Sequence, residues 1–183
     1  MKKLLLLASL LLLGACAAMS EAECRTGDWY GVGERDGRDG RGSRLGDYAE
    51  ACQKANVLPD PAEYSRGRAR GLLAYCTPEN GYRVGRAGYS YGNVCAPELQ
   101  EGFLREYNRG YARYELRRDI DNLENDMLRY GREINRLSEL IGKATTEDER
   151  RKLRRERDGY ERQRRDAKST LILLQARWLV QGD

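Results

Sequence analysis

Between residues 116 and 141 apolar or aromatic side chains recur at alternating spacings of four and three: Leu116, Ile120, Leu123, Met127, Tyr130, Ile134, Leu137 and Ile141. This is a heptad seam held over more than three heptads, and it confines the segment to a long helix with one buried stripe. Gly142-Lys143-Ala144-Thr145 then interrupts the pattern, and Thr146-x-x-Glu149 supplies a capping box for a new helix. The second helix carries its own seam at Leu153, Arg157, Tyr160, Arg164, Ala167, Leu171, Leu174 and Trp178, polar near its start and apolar near its end. So short a break between two long periodic segments predicts an antiparallel helical hairpin, about 40 Å long by helical rise. Folded back, the stretch from Leu171 to Trp178 returns beside Leu116 and Ile120.

Upstream the chemistry is different. Cys24, Cys52, Cys76 and Cys95 form no C-x-x-C pair, and the chain contains no histidine, so the spacing argues against zinc. An even count in an exported chain reads as two disulfides. Four cysteines allow three connectivities, and the shortest loops belong to Cys24–Cys52 with Cys76–Cys95. Around them one phrase keeps returning: Tyr30-x-x-Gly33-x-x-x-Gly37, Tyr64-x-x-Gly67-x-x-x-Gly71, Tyr82-x-x-Gly85-x-x-Gly88 and Tyr107-x-x-Gly110. Glycine in a helix costs roughly 0.5–1 kcal/mol against alanine, so its repeated use suggests close packing. Leu45, Tyr48, Ala49 and Cys52 lie on one helical stripe, and Asp60-Pro61-Ala62-Glu63 opens a further helix that ends near Cys76. Asn80-Gly81 reads as a turn, and residues 82–95 read as irregular. The fold class expected is all-α: a small disulfide-bonded helical domain over residues 16–97, then the antiparallel coiled-coil hairpin over 98–183.

The first fifteen residues form a different kind of segment. Lys2 and Lys3 precede a leucine-rich run from Leu4 to Leu13, whose ten residues rise about 15 Å, half of what a membrane span needs. That is the h-region of a signal peptide. Leu13-Gly14-Ala15-Cys16 resembles the lipobox of bacterial lipoproteins. The resemblance implies cleavage before Cys16, a diacylglyceryl group on its thiol, an acyl chain such as palmitate on its new amino group, and an anchor that holds the protein to the membrane. Ala17 in place of Asp implies sorting to the outer membrane, with the folded part facing the periplasm.

The ordered set Cys24, Asp28-Trp29-Tyr30, Gly33, Asp36-Gly37, Gly40, Cys52, Tyr64-x-x-Gly67-x-x-x-Gly71, Tyr75-Cys76, Gly85, Gly88, Tyr91 and Val94-Cys95 resembles an uncharacterised family of proteobacterial lipoproteins catalogued as domain of unknown function 2799. The resemblance covers roughly residues 16 to 115 and implies a lipoprotein with a four-cysteine domain. It implies no activity.

Few reactions suit this composition. Without histidine the chain lacks the usual general base near neutral pH and the commonest transition-metal ligand. Asp28, Glu34, Asp36 and Asp39 beside Trp29 and Tyr30 could be the carboxylates of a hydrolase, but Asp36 and Asp39 sit where turn residues belong. Asp36-x-x-Asp39-Gly40 misses the ligand spacing of a calcium loop. No metal, cofactor or catalytic residue is expected, and the chain reads as no enzyme. Loss of Lys2 and Lys3 leaves 31 Lys+Arg against 29 Asp+Glu, too small an excess for a nucleic acid partner. The basic run from Arg150 to Arg165 is interleaved with acids from Glu147 to Asp166, as in a solvated helix face. Trp29, Tyr30, Tyr64, Arg68, Tyr75 and Tyr82 could stack on cell-wall polysaccharide such as peptidoglycan or anchor a protein, or else fill a core poor in aliphatic residues. The leading expectation is a lipid-anchored scaffold or adaptor of the cell envelope. Its hairpin would bind another envelope protein or self-associate.

Overall fold

The structure, a computed structural model, describes residues 18–180, so the lipobox Cys16 lies outside the described residues. Every regular element among the described residues is a helix. Short helices α1 (Glu21–Thr26), α2 (Trp29–Arg38) and α3 (Leu45–Ala51) are followed by a single 3-10 turn at Gln53–Ala55. Helices α4 (Pro61–Tyr75), α5 (Pro78–Arg86), α6 (Pro97–Lys143) and α7 (Glu147–Val180) complete the order. Local chemistry sets the helix starts. Ser20 and Glu23 form a reciprocal capping box on α1, the Asp28 carboxylate accepts the Gly31 N–H, and Asp60 accepts from Ala62 and Glu63 ahead of α4 with Pro61 in its first turn. Disulfides join Cys24 to Cys52 and Cys76 to Cys95, the pairing with the shortest loops.

The described residues fall into two compact units, 18–81 with 90–106 and 82–89 with 107–180. The core of the first gathers Met19, Cys24, Trp29, Val32, Tyr48, Cys52 and Tyr64. It is built on the crossing of α2 and α4. A Cβ at Gly33 would lie 2.1 Å from the Tyr64 carbonyl oxygen, and one at Gly67 would lie 1.9 Å from the Tyr30 carbonyl oxygen. Gly37 and Gly71 meet the partner backbone in the same way, 2.3 Å from Arg68 O and 2.2 Å from Glu34 O. The two tyrosine-glycine phrases therefore pack reciprocally, each tyrosine's carbonyl set on the other's glycine. Nothing larger than a hydrogen fits between the backbones.

The second unit repeats the device with α5 and α6. A Cβ at Gly85 would lie 2.1 Å from Tyr107 O, and one at Gly110 would lie 2.3 Å from Tyr82 O. Residues 82–86 are thus helical where the sequence reading made them irregular. Asn80-Gly81 does not turn the chain, because the Asn80 amide donates to the Tyr75 carbonyl and the bare Gly81 lies against the Phe103 backbone. Downstream, α6 and α7 pack as the expected antiparallel hairpin. Leu116, Ile120 and Leu171 are buried with Leu123, Met127, Leu174 and Trp178 against them, and Tyr130 meets Tyr160 across the pair. The seam begins at Leu116 although the helix begins at Pro97, because residues 97–115 pack through Phe103, tyrosines and Gly110 instead of aliphatic knobs.

Candidate functional site

The acidic cluster is absorbed by the fold. Asp36 is 1% exposed, and its Oδ2 accepts the hydroxyls of Tyr48 and Tyr64, both at 2.8 Å, while Oδ1 takes Arg41 Nη1 at 3.3 Å. The Tyr64 hydroxyl in turn accepts the Arg44 backbone N–H at 3.1 Å. Burial, then the bond to Asp36, pushes the Tyr48 hydroxyl up to about 12, and burial raises Tyr64 as well. Both hydroxyls are therefore neutral donors at any physiological pH, and the Asp36 carboxylate has no edge open to a substrate. Asp28 caps α2, Glu34 pairs with Arg38, and Asp39 pairs with Arg41. No pair among them faces a cleft as an acid and base would have to.

The aromatic set is not assembled into one surface. Trp29, Tyr64 and Tyr75 are buried, so they cannot stack on a polysaccharide. Tyr75 lies against Phe103 and under Gly40. Tyr30 is exposed, with the Arg66 guanidinium over its ring. Arg68 spends Nε and Nη2 on the Arg41 carbonyl oxygen, and Tyr82 lies beneath the Arg109 guanidinium. The core reading of these rings accounts for Trp29, Tyr64 and Tyr75, since their large faces replace missing aliphatic volume while the Tyr64 hydroxyl finds a buried partner. Among the described residues no group of three or more Cys, Asp or Glu is placed to hold a metal ion, and no helix is long and apolar enough to cross a membrane.

Among the described residues a run of exposed apolar side chains lies elsewhere, at the end of α7. Leu171, Leu174 and Trp178 face the hairpin seam, with the Arg113 guanidinium 4.0 Å from the Trp178 ring. On the other side of the same turns Ile172, Leu173, Leu179 and Val180 are 56%, 71%, 79% and 87% exposed. Helical spacing puts Ala176 between them. The sequence reading traced the inner seam and passed over this outer one. Its signal was present: Leu171-Ile172-Leu173-Leu174 is apolar at every position, which no single seam requires.

Residues 28–112 match the family model described as "Protein of unknown function (DUF2799)". That span holds both tyrosine-glycine crossings and three of the four bridging cysteines, and it ends before the hairpin seam. No curated protein and no solved structure matches the chain.

Proposed function

With a DUF2799 domain over residues 28–112 as the premise, we propose that the chain is a non-enzymatic lipoprotein, anchored through Cys16 to the outer membrane and facing the periplasm, whose hairpin serves as a protein-binding surface. The observation that carries this reading is the outer apolar face of α7. A solvated helix gains nothing from four large apolar residues pointing into water, whereas a helix that docks on a protein does. The acidic and aromatic groups of the disulfide-bonded part support the same reading, being spent on caps, ion pairs and core. A lipid at Cys16 would confine the hairpin to a thin layer next to the membrane, which raises its effective concentration toward partners held there.

The test uses the full chain in cells. Cys16→Ala should move the protein from the membrane to the soluble envelope fraction. A photo-crosslinking residue at position 173 or 179 should give discrete protein adducts, while one at position 58, exposed in the first unit, should not. Deletion of 116–180 should abolish the cellular role. A silent deletion would overturn the proposal, as would hydrolysis of peptidoglycan by the purified protein.

A further inference from the structure

We propose that the occupant of the outer α7 face is a second copy of this chain, docked antiparallel about a two-fold axis at Ala176. The inference rests on the reading of the hairpin as a binding surface and names its partner.

Three features of the face lead to this. Ile172, Leu173, Ala176, Leu179 and Val180 stand at −4, −3, 0, +3 and +4 about one small residue. That order reads the same in both directions along the helix. An isologous interface needs this property, because under a two-fold axis residue −4 of one copy meets +4 of the other. Ala176 at the axis lets the helices approach, while the larger pairs 172/180 and 173/179 fill the space on either side. The hairpin seam occupies the opposite side of the same turns through Leu171, Leu174 and Trp178, so docking extends a packed layer that already exists.

The area is adequate. With these exposures the face offers roughly 500 Å² per copy, or about 1,000 Å² over two, which reaches the size of the smaller specific interfaces.

Charge fixes the direction. Arg162 and Arg165 continue the same outer stripe toward the N-terminal side of the patch. A parallel, in-register pair would set each arginine against its own copy. The antiparallel pair separates the two Arg165 positions by 22 residues of helix, about 33 Å, several times the Debye length at physiological salt.

The experiment is cysteine cross-linking and sedimentation of the full mature chain carrying Cys16→Ala, with both native disulfides kept. Ala176→Cys should give a disulfide-linked homodimer under mild oxidation. Leu173→Cys and Leu179→Cys should each give little dimer alone and a mixed dimer when combined. Sedimentation equilibrium should show a dimer, and Leu173→Asp with Leu179→Asp should weaken it at least 100-fold. Both positions are exposed, so the double variant keeps its helical circular dichroism. A chain that stays monomeric at 100 μM overturns the inference, as does a dimer that persists in the double Asp variant. Self-cross-linking at 173 as strong as at 176 also overturns it, since that reports a parallel pair. Binding of the Cys16→Ala form to vesicles of anionic phospholipid, lost in the Asp variant, would assign the face to the bilayer and also overturn it. Adducts at 173 and 179 to a different envelope protein would overturn the second copy while leaving the proposed function standing, whereas a silent deletion of 116–180 removes both.

Discussion

Gly67→Ala tests the α2–α4 crossing most directly. The added Cβ would stand 1.9 Å from the Tyr30 carbonyl oxygen and 2.8 Å from its carbon. Both are backbone atoms of a helix, so no rotamer change can move them aside. The helices would have to separate by on the order of 1 Å along a contact that Gly33, Gly37 and Gly71 also hold closed. Overpacking of this kind costs about 3 kcal/mol at the upper end of its ordinary range. Alanine returns about 1 kcal/mol of helix propensity, leaving a net loss of about 2 kcal/mol, or about 4–8 °C in Tm for a chain of this size. Gly131→Ala in α6 is the control. Nothing lies within 4 Å of its added methyl group, so it should gain up to about 1 kcal/mol. Urea titration of both variants, followed by far-ultraviolet circular dichroism with the disulfides intact, supplies the comparison. If Gly67→Ala unfolds at or above the native midpoint, the reciprocal crossing is wrong, whatever else the fold retains.

Other outcomes follow from the same contacts. Asp36→Ala should cost about 3 kcal/mol, because it strands two buried tyrosine hydroxyls that now share one carboxylate oxygen, and Asp36→Asn should cost less; equal stability in urea for both would refute the shared-acceptor network. The Tyr48 hydroxyl should ionise near pH 12 in an absorbance titration at 295 nm. Because its folded value is raised, its contribution to stability is fully present below the unfolded value near 10 and is lost as pH rises from about 10 to about 12; Tyr48→Phe should flatten that alkaline loss. Replacing Cys24 and Cys52 together by Ser should cost about 3.6 kcal/mol on chain-entropy grounds for a separation of 28 residues, against about 3.2 for Cys76 and Cys95 at 19, measured as the shift in urea midpoint.

The hairpin was legible because its information is local and periodic: a four-three alternation survives any error in the rest of the chain. The α2–α4 crossing was half legible. The returning Tyr-x-x-Gly phrase signals close packing, but which glycine meets which carbonyl depends on register between helices some 30 residues apart in sequence. Helix α5 was read wrongly because Asn80-Gly81 and Gly85 carry turn chemistry, and only the tertiary contacts to Phe103 and Tyr107 make bare backbone favourable there. The aromatic residues could not be sorted into core and surface from sequence. A tyrosine reads alike in either place, and Tyr64 is settled by one buried acceptor, Asp36, that the sequence reading had assigned to a turn.

A further regularity recurs along the chain. Cys24-x5-Tyr30-x2-Gly33 is matched by Cys76-x5-Tyr82-x2-Gly85, and Cys52-x11-Tyr64-x2-Gly67 by Cys95-x11-Tyr107-x2-Gly110. Each set pairs its cysteines with one another and its tyrosine-glycine phrases reciprocally. The closing glycine and the ring beneath it match too, once four residues are taken from each spacing of the first set. Gly40, with φ +67°, stands over the Tyr75 ring, and Gly88, with φ +75°, stands over the Tyr114 ring. Gly33 to Gly40 is seven residues and Gly85 to Gly88 is three; Tyr64 to Tyr75 is eleven and Tyr107 to Tyr114 is seven. Both differences are four residues, about one helical turn, so the closing glycine and its ring lie one turn nearer the crossing in the second set. Even the helix stops agree. Gly40 N–H donates to Gly37 O and Arg41 N–H to Asp36 O, while Gly88 donates to Gly85 O and Tyr89 to Val84 O, two Schellman stops of one design. Gly40→Ala and Gly88→Ala should therefore fail alike. Each incurs about 1–2 kcal/mol for a left-handed backbone and a further cost for a methyl group driven into a ring, 2.1 Å from Tyr75 Cζ or 2.5 Å from Tyr114 Cζ. Gly27→Ala isolates the first cost, since its φ is also +67° and nothing lies within 4 Å of the new methyl group. Urea midpoints should fall least for position 27 and further for 40 and 88. If 88 behaves like 27, the two sets share their spacing without sharing their packing, and the duplication is one of sequence alone.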